Sequence, residues 1–150
     1  VNNPLAKTKS IGTHKDWSAY YNKEKNGKTC FIASEPLKSS GKYKKSNRGK
    51  TYVFVTKNGI SHEVSVVAGF NYKKNTKVKF TIDKNTTLLF PIDDRAWSES
   101  PKVDKILVRK MKKGNKLIIE GTSSPGNTIT DHYSLSGFTK ALSLIDKNCS

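Results

Sequence analysis

The chain has 150 residues, 34% of them hydrophobic, and a formal net charge of +16. That length and apolar content fill the core of one domain and leave too little for a second, and no apolar run nears the roughly 20 residues that cross a bilayer as a helix. The charge exceeds the magnitude of about 2 to 8 usual for a small soluble domain, yet all but three of the 28 basic residues are lysine, and a scarcity of arginine forks argues against a dedicated reader of phosphates or base edges.

Residues 1–13 carry Asn, Pro, Lys and Gly without apolar periodicity and read as a flexible lead-in to a single domain over 14–150. The start at Val1 rather than Met fits removal of an export signal and fits trimming of disordered or tag residues equally well. Residues 16–22 alternate, with Trp17, Ala19 and Tyr21 on one face. The turn Lys25-Asn26-Gly27-Lys28 then leads into residues 29–33, which predicts a hairpin. Residues 34–50 turn to Ser, Gly, Lys and Asn and read as a basic loop holding Lys38, Lys42, Lys44, Lys45, Arg48 and Lys50.

Residues 51–56 and 61–69 are β-branched and aromatic runs around Lys57-Asn58-Gly59-Ile60, a second hairpin. Residues 78–83 alternate Val78, Phe80 and Ile82 against polar positions, and residues 86–92 follow after Lys84-Asn85 as a third. Asp93-Asp94-Arg95-Ala96-Trp97 either continues that strand or leaves the sheet. Val103, Ile106, Leu107 and Met111 recur at helical spacing, with Gly114 placed as a C-cap. Residues 116–121 and 129–135 are two further strands around a Ser-Ser-Pro-Gly-Asn turn. Phe138, Ala141, Leu142 and Ile145 form the stripe of a final helix, with Cys149 just past its end. About eight strands at hairpin spacing and two short helices, the second C-terminal, predict a mainly β domain: an antiparallel sandwich or a barrel-like fold.

Cys30 and Cys149 lie near opposite ends of the chain, at a spacing unlike CxxC redox pairs or zinc clusters. A bridge is the favoured reading over two separate buried thiols. It would add about 4 to 5 kcal/mol in the chain-entropy model and would persist only in an oxidising compartment.

Trp17, Lys28-Thr29-Cys30-Phe31-Ile32-Ala33 with Pro36, and Gly49-Lys50-Thr51-Tyr52-Val53-Phe54-Val55-Thr56 form the first part of a pattern. Ala96-Trp97, Met111-Lys112-Lys113-Gly114 and the segment Asp131-His132-Tyr133-Ser134-Leu135-Ser136-Gly137-Phe138-Thr139-Lys140-Ala141-Leu142 complete it. From Trp17 to Cys149 the chain resembles the invasion-associated locus B family. The resemblance implies an exported, periplasmic or envelope-associated α-proteobacterial protein with paired cysteines and no established enzymatic activity. The chain departs from the family's Gly-x-Ser-x-Arg-Gly stretch, carrying Ser124-Pro125-Gly126, so no role of that arginine carries over.

Other chemistry has little local signature. His14, His62 and His132 share no metal-binding spacing. His132 sits between Asp131 and Tyr133, but on an alternating strand it faces away from both, which weakens a hydrolase reading built on His132 and Asp131. Asp93 and Asp94, as neighbours, point apart and make a poor carboxylate dyad. There is no nucleophile elbow and no phosphate loop. The aromatics Tyr20, Tyr21, Tyr43, Tyr52, Phe70, Tyr72 and Phe80 interleave with lysines, as stacking platforms do, although strand cores have the same look.

The sequence therefore predicts a non-enzymatic envelope module with no cofactor, no metal and no small-molecule substrate. Its expected partner is an anionic cell-surface polymer or an envelope protein, met in host-cell invasion or envelope interaction. The expected contacts are Lys42, Lys44, Lys45, Arg48, Lys50, Lys73 and Lys74, set against a wholly compositional origin of the charge in an AT-rich genome. A binder of single-stranded nucleic acid or another anionic polymer is the alternative, with Tyr43 and Tyr72 as its stacking residues.

Overall fold

The computed structural model describes residues 7–149. In chain order these form β1 (Lys9–His14), β2 (Trp17–Glu24), β3 (Gly27–Ser34), β4 (Lys38–Gly41), a 3-10 turn at Lys45–Asn47, β5 (Tyr52–Asn58), β6 (Ser61–Val67), β7 (Val78–Ile82), β8 (Asn85–Ile92), β9 (Arg95–Trp97), α1 (Pro101–Lys113), β10 (Lys116–Thr122), β11 (Thr128–Ser134) and α2 (Phe138–Asn148). The strands form one antiparallel ladder in the order β1-β2-β3-β5-β6-β9-β8-β7-β10-β11-β4.

The mainly β, antiparallel class with two helices is as predicted; the strand count among the described residues is eleven rather than about eight. All of β1 but His14 lies within the segment expected to be a flexible lead-in, of which residues 1–6 fall outside the described residues. Its sequence KSIGTH has little periodicity and shifts register between Ser10 and Gly12. It forms because β2 offers a ladder and Ile11 packs against the core. β4 lies within the expected basic loop. It is a polar four-residue strand on an edge, where shortness and lysine protect against unwanted pairing. β9 is the return of a hairpin whose turn is Asp93-Asp94, with Asp93 at a φ of 56°, a left-handed conformation Asp tolerates.

The ladder curls. β3 is third from one edge and β4 is the opposite edge, yet only residues 35–37 join them, a link of at most about 14 Å. Closure is visible where Leu37 N–H donates to His132 O at 2.7 Å, Asp16 N–H to Ser136 O at 3.1 Å and the Trp17 indole to Ser134 O at 2.9 Å. Alternating residues of both halves fill the interior: Trp17 and Ala19, Cys30 and Ile32, Val53 and Val55, Val64 and Val66, Phe80 and Ile82, Leu117 and Ile119. Each large side chain so buried contributes about 1.5 to 3 kcal/mol. A second apolar cluster of Phe31, Ala33, Tyr52, Phe54 and Val67, with Tyr20, occupies the opposite face of β2, β3, β5 and β6.

The helices complete the core. α1 begins at Ser100, whose hydroxyl accepts from Val103 N–H at 3.3 Å, with Pro101 in the first turn. It buries Asp104, Leu107, Val108 and Met111, whereas Ile106 stays at the margin. Gly114 ends it at a φ of −87°, so left-handedness is not the reason for glycine there; a Cβ would run into the side chains of Ile82 and Leu135. α2 lies across β1, β2, β3 and β5. It buries Phe138, Ala141, Leu142 and Ile145. Cys149, just past it, is joined to Cys30 on β3 with the Cα atoms 6.1 Å apart, within the ordinary range for a disulfide.

Candidate functional site

The predicted contact residues divide between one exposed rim and one buried pair. The rim is built where four connections meet: residues 47–50, the segment after β6, the β8–β9 turn and the β10–β11 turn. Backbone bonds stitch them together: Gly49 N–H to Gly69 O at 2.8 Å, Ala68 N–H to Asp94 O at 2.9 Å, Tyr72 N–H to Asp93 O at 2.8 Å and Ser124 N–H to Asn71 O at 2.9 Å. Gly69 holds a φ of 77°, and a Cβ there would strike the carbonyl of Gly49, so this junction requires glycine.

Two grooves flank Asn71 and Ser124, which line both. One, of about 690 Å³, is lined by Asn47, Lys50, Phe70, Asp94, Arg95 and Pro125 among others. The second, of about 620 Å³, is lined by Lys73, Lys74, Asn75, Ile92 and Asp93. Lys50, Lys73 and Lys74 are exposed, and Arg95 is half-buried. Among the described residues none of the four belongs to an ion pair. Lys42, Lys44 and Lys45 are exposed on the connection leading to the rim but line neither groove.

Arg48 is not a surface contact. Its guanidinium makes a fork to Asp131 at 2.8 and 2.7 Å, Nε donates to Ala68 O at 3.0 Å, and the two side chains are 8% and 5% exposed. The rings of Tyr43 and Phe70 lie 5.0 and 5.1 Å from the guanidinium. Burial works against the charge on Arg48, but the hydrogen bonds and field of Asp131, with a smaller part from Tyr43, outweigh it and hold the group firmly cationic. The pair anchors the connection after β4 onto β11 and so places Lys50 at the rim. A lone arginine in a lysine-rich loop reads as one more surface cation. The missed signal was strand alternation, which puts Asp131 on the inward side with Ile129 and Tyr133, in need of a buried partner.

That pair also spends the acid of the His132–Asp131 reading. Asp131 accepts from Arg48 and from Ser39 Oγ at 2.6 Å, while His132 lies on the other face of β11, in register with Lys38. Burial, then the charge of Asp131, push the hydroxyls of Tyr72 and Tyr133 well above the usual tyrosine range, so both stay neutral. The expected stacking residues are engaged as well: Tyr72 is buried and Tyr43 lies against Arg48. His62 bonds Asp146 Oδ1 at 2.7 Å, where Lys57 also donates at 3.1 Å. Among the described residues no three His, Cys, Asp or Glu side chains converge as metal ligands, and no helix is long and apolar enough to cross a membrane.

Comparison with known proteins bears on the whole frame. The sequence profile of the family described as Invasion associated locus B (IalB) protein matches residues 17–146. No curated protein matches the chain. The crystal structure of invasion associated protein b from Bartonella henselae is similar, with a TM-score of 0.65 and 20% identity over 93% of this chain and 95% of that one. At that identity the likeness carries the fold, and Trp17, the first residue of the profile match, is also the first residue of the buried core.

Proposed function

The chain belongs to the invasion associated locus B family, and from that premise we propose that it is an exported, non-enzymatic module of the cell envelope that binds an anionic surface polymer or envelope protein through its basic rim. The observation that carries this reading is the pair of adjoining grooves whose cations, Lys50, Arg95, Lys73 and Lys74, have no ion-pair partner among the described residues. Export is supported by the Cys30–Cys149 bridge, since such bonds persist in oxidising compartments. A non-catalytic role is supported by Asp131, whose oxygens are taken by Arg48 and Ser39 and are not available to a substrate. The family's description connects its members with invasion, and we carry that to this chain as contact at a cell surface.

Titration with heparin-like polymers and with lipopolysaccharide across ionic strength tests the reading. Binding at low salt that weakens steeply toward physiological salt is expected. Reversal of three rim charges (Lys50→Glu, Lys73→Glu, Lys74→Glu) is expected to weaken it by at least about tenfold, with a shallower salt dependence. No binding at low salt, or binding indifferent to the three substitutions, would overturn it. Single-stranded nucleic acid ranks second, because Tyr72 is buried and Tyr43 is half-buried against Arg48, so neither is a free ring for stacking.

A further inference from the structure

A second cationic surface lies on the side of α1 away from the core. The helix carries Lys102, Lys105, Arg109, Lys110, Lys112 and Lys113. At 100° per residue all but Lys110 fall within an arc of about 100°, roughly opposite Asp104, Leu107 and Met111. Asp104 is the one acidic residue of the helix, and it is turned inward, accepting from Val64 N–H at 3.0 Å and from Ser98 Oγ at 2.7 Å. No carboxylate of α1 therefore offsets the outward charge.

Lys105, Arg109 and Lys112 line a groove of about 390 Å³, whose opposite wall is Ile60, Ser61 and His62 from the β5–β6 turn and the start of β6. Ile60 is 97% exposed. A solitary exposed apolar residue needs no explanation on its own. This one projects from a two-residue turn beside a row of long cationic side chains, and that combination suits one kind of surface. Ammonium and guanidinium heads meet lipid phosphates, while an apolar tip enters the boundary between headgroups and acyl chains.

We propose that this face docks on an anionic phospholipid bilayer, with Lys102, Lys105, Arg109 and Lys112 against the phosphates and Ile60 inserted at headgroup depth. A soluble polyanion would satisfy the cations and leave Ile60 in water; the bilayer accommodates both. The surface shares no lining residue with the rim grooves, so the two stand or fall separately.

Flotation of the full chain with vesicles of phosphatidylglycerol and phosphatidylcholine, against phosphatidylcholine alone, tests the proposal. Binding is expected at low salt to the anionic vesicles and not to the neutral ones. Lys105→Glu with Arg109→Glu should weaken it by at least about tenfold. Ile60→Ser should weaken vesicle binding several-fold without changing heparin binding, and Lys73→Glu with Lys74→Glu should leave vesicle binding in place. Ile60→Trp supplies a spectroscopic readout, a blue-shifted emission on anionic vesicles. Absence of binding to anionic vesicles, equal binding to neutral ones, or Ile60→Ser partitioning like the parent would overturn it. Loss of heparin and vesicle binding together on α1 charge reversal, with Ile60→Ser silent, would mean a soluble polyanion and would overturn it too. Every substituted position is exposed, so the variants should melt with the parent.

Discussion

Asp131 accepts hydrogen bonds from Arg48 and Ser39 in a region where both charged side chains are almost out of water. Breaking such a pair costs more than the pair contributes, because the survivor is left charged and buried. Asp131→Ala is therefore expected to lower stability by about 3 to 5 kcal/mol in chemical denaturation. Tyr133, two residues on, gives the opposite case. Its hydroxyl is buried with no hydrogen-bond partner among the described residues, so Tyr133→Phe should leave stability unchanged or raise it by up to about 1 kcal/mol; a loss beyond that would reveal an ordered water on the hydroxyl. At Asp146, partial burial raises the carboxyl's affinity for its proton, but hydrogen bonds from His62 and Lys57 outweigh this and hold it below its ordinary 3.8. A carboxyl whose folded value is depressed adds stability that is full above the unfolded value and is lost as pH falls through the folded one. The difference in stability between the parent and Asp146→Asn should accordingly be present at neutral pH, small at no more than about 1 kcal/mol because the site is partly exposed, and should vanish in acid below the ordinary carboxylate range. A difference that persists unchanged in acid would rule out the ionised carboxylate as its source.

Elements join at glycines for different reasons, and substitution separates them. Gly137 precedes α2 at a φ of 89°, and a Cβ there would sit inside the carbonyl of His14, the last residue of β1. Gly59 turns β5 into β6 at a φ of 65° with nothing near its missing side chain. Gly137→Ala should lose more than the about 1 to 2 kcal/mol of left-handed backbone cost alone, because β1 must also move. Gly59→Asn should stay within about 0.5 kcal/mol, since asparagine tolerates that conformation; equal losses in urea melts would refute the role given to His14. Legibility follows the same division. The β5–β6 hairpin and both helices announce themselves in turn residues and apolar period, because local chemistry suffices to specify them. β1, β4 and β9 do not, because KSIGTH, KSSG and RAW are strands only through the neighbours that pair with them. That Lys50, Lys73 and Lys74 are exposed cations is legible from composition and turn signals alone, whereas Arg95 comes beside them only through the β8–β9 turn. The row on α1 is periodic in the sequence, but periodicity alone does not set a cationic helix face apart from an ordinary solvated one.

Across the whole molecule, the chain's last helix closes what its first strands open. The Cys30–Cys149 bridge spans 119 residues of sequence, so its reduction is expected to lower stability by about 2 to 5 kcal/mol, which for a chain of this size moves the melting midpoint by on the order of 10 °C. The bridge lies beyond the helix's final turn, however, while four buried side chains fix its body, and the Trp17 and Phe138 rings meet edge to face at 5.0 Å near its start. Packing thus runs along the body of α2, whereas the crosslink acts beyond its C-terminal end. The reduced protein should keep the near-ultraviolet dichroism of Trp17 and melt cooperatively at a lower temperature, with hydrogen exchange rising first around residues 145–149. If the Trp17 signal collapses on reduction at room temperature, the crosslink rather than the buried stripe holds α2 on the sheet, and the fold depends on an oxidising compartment for its structure as well as for its margin of stability.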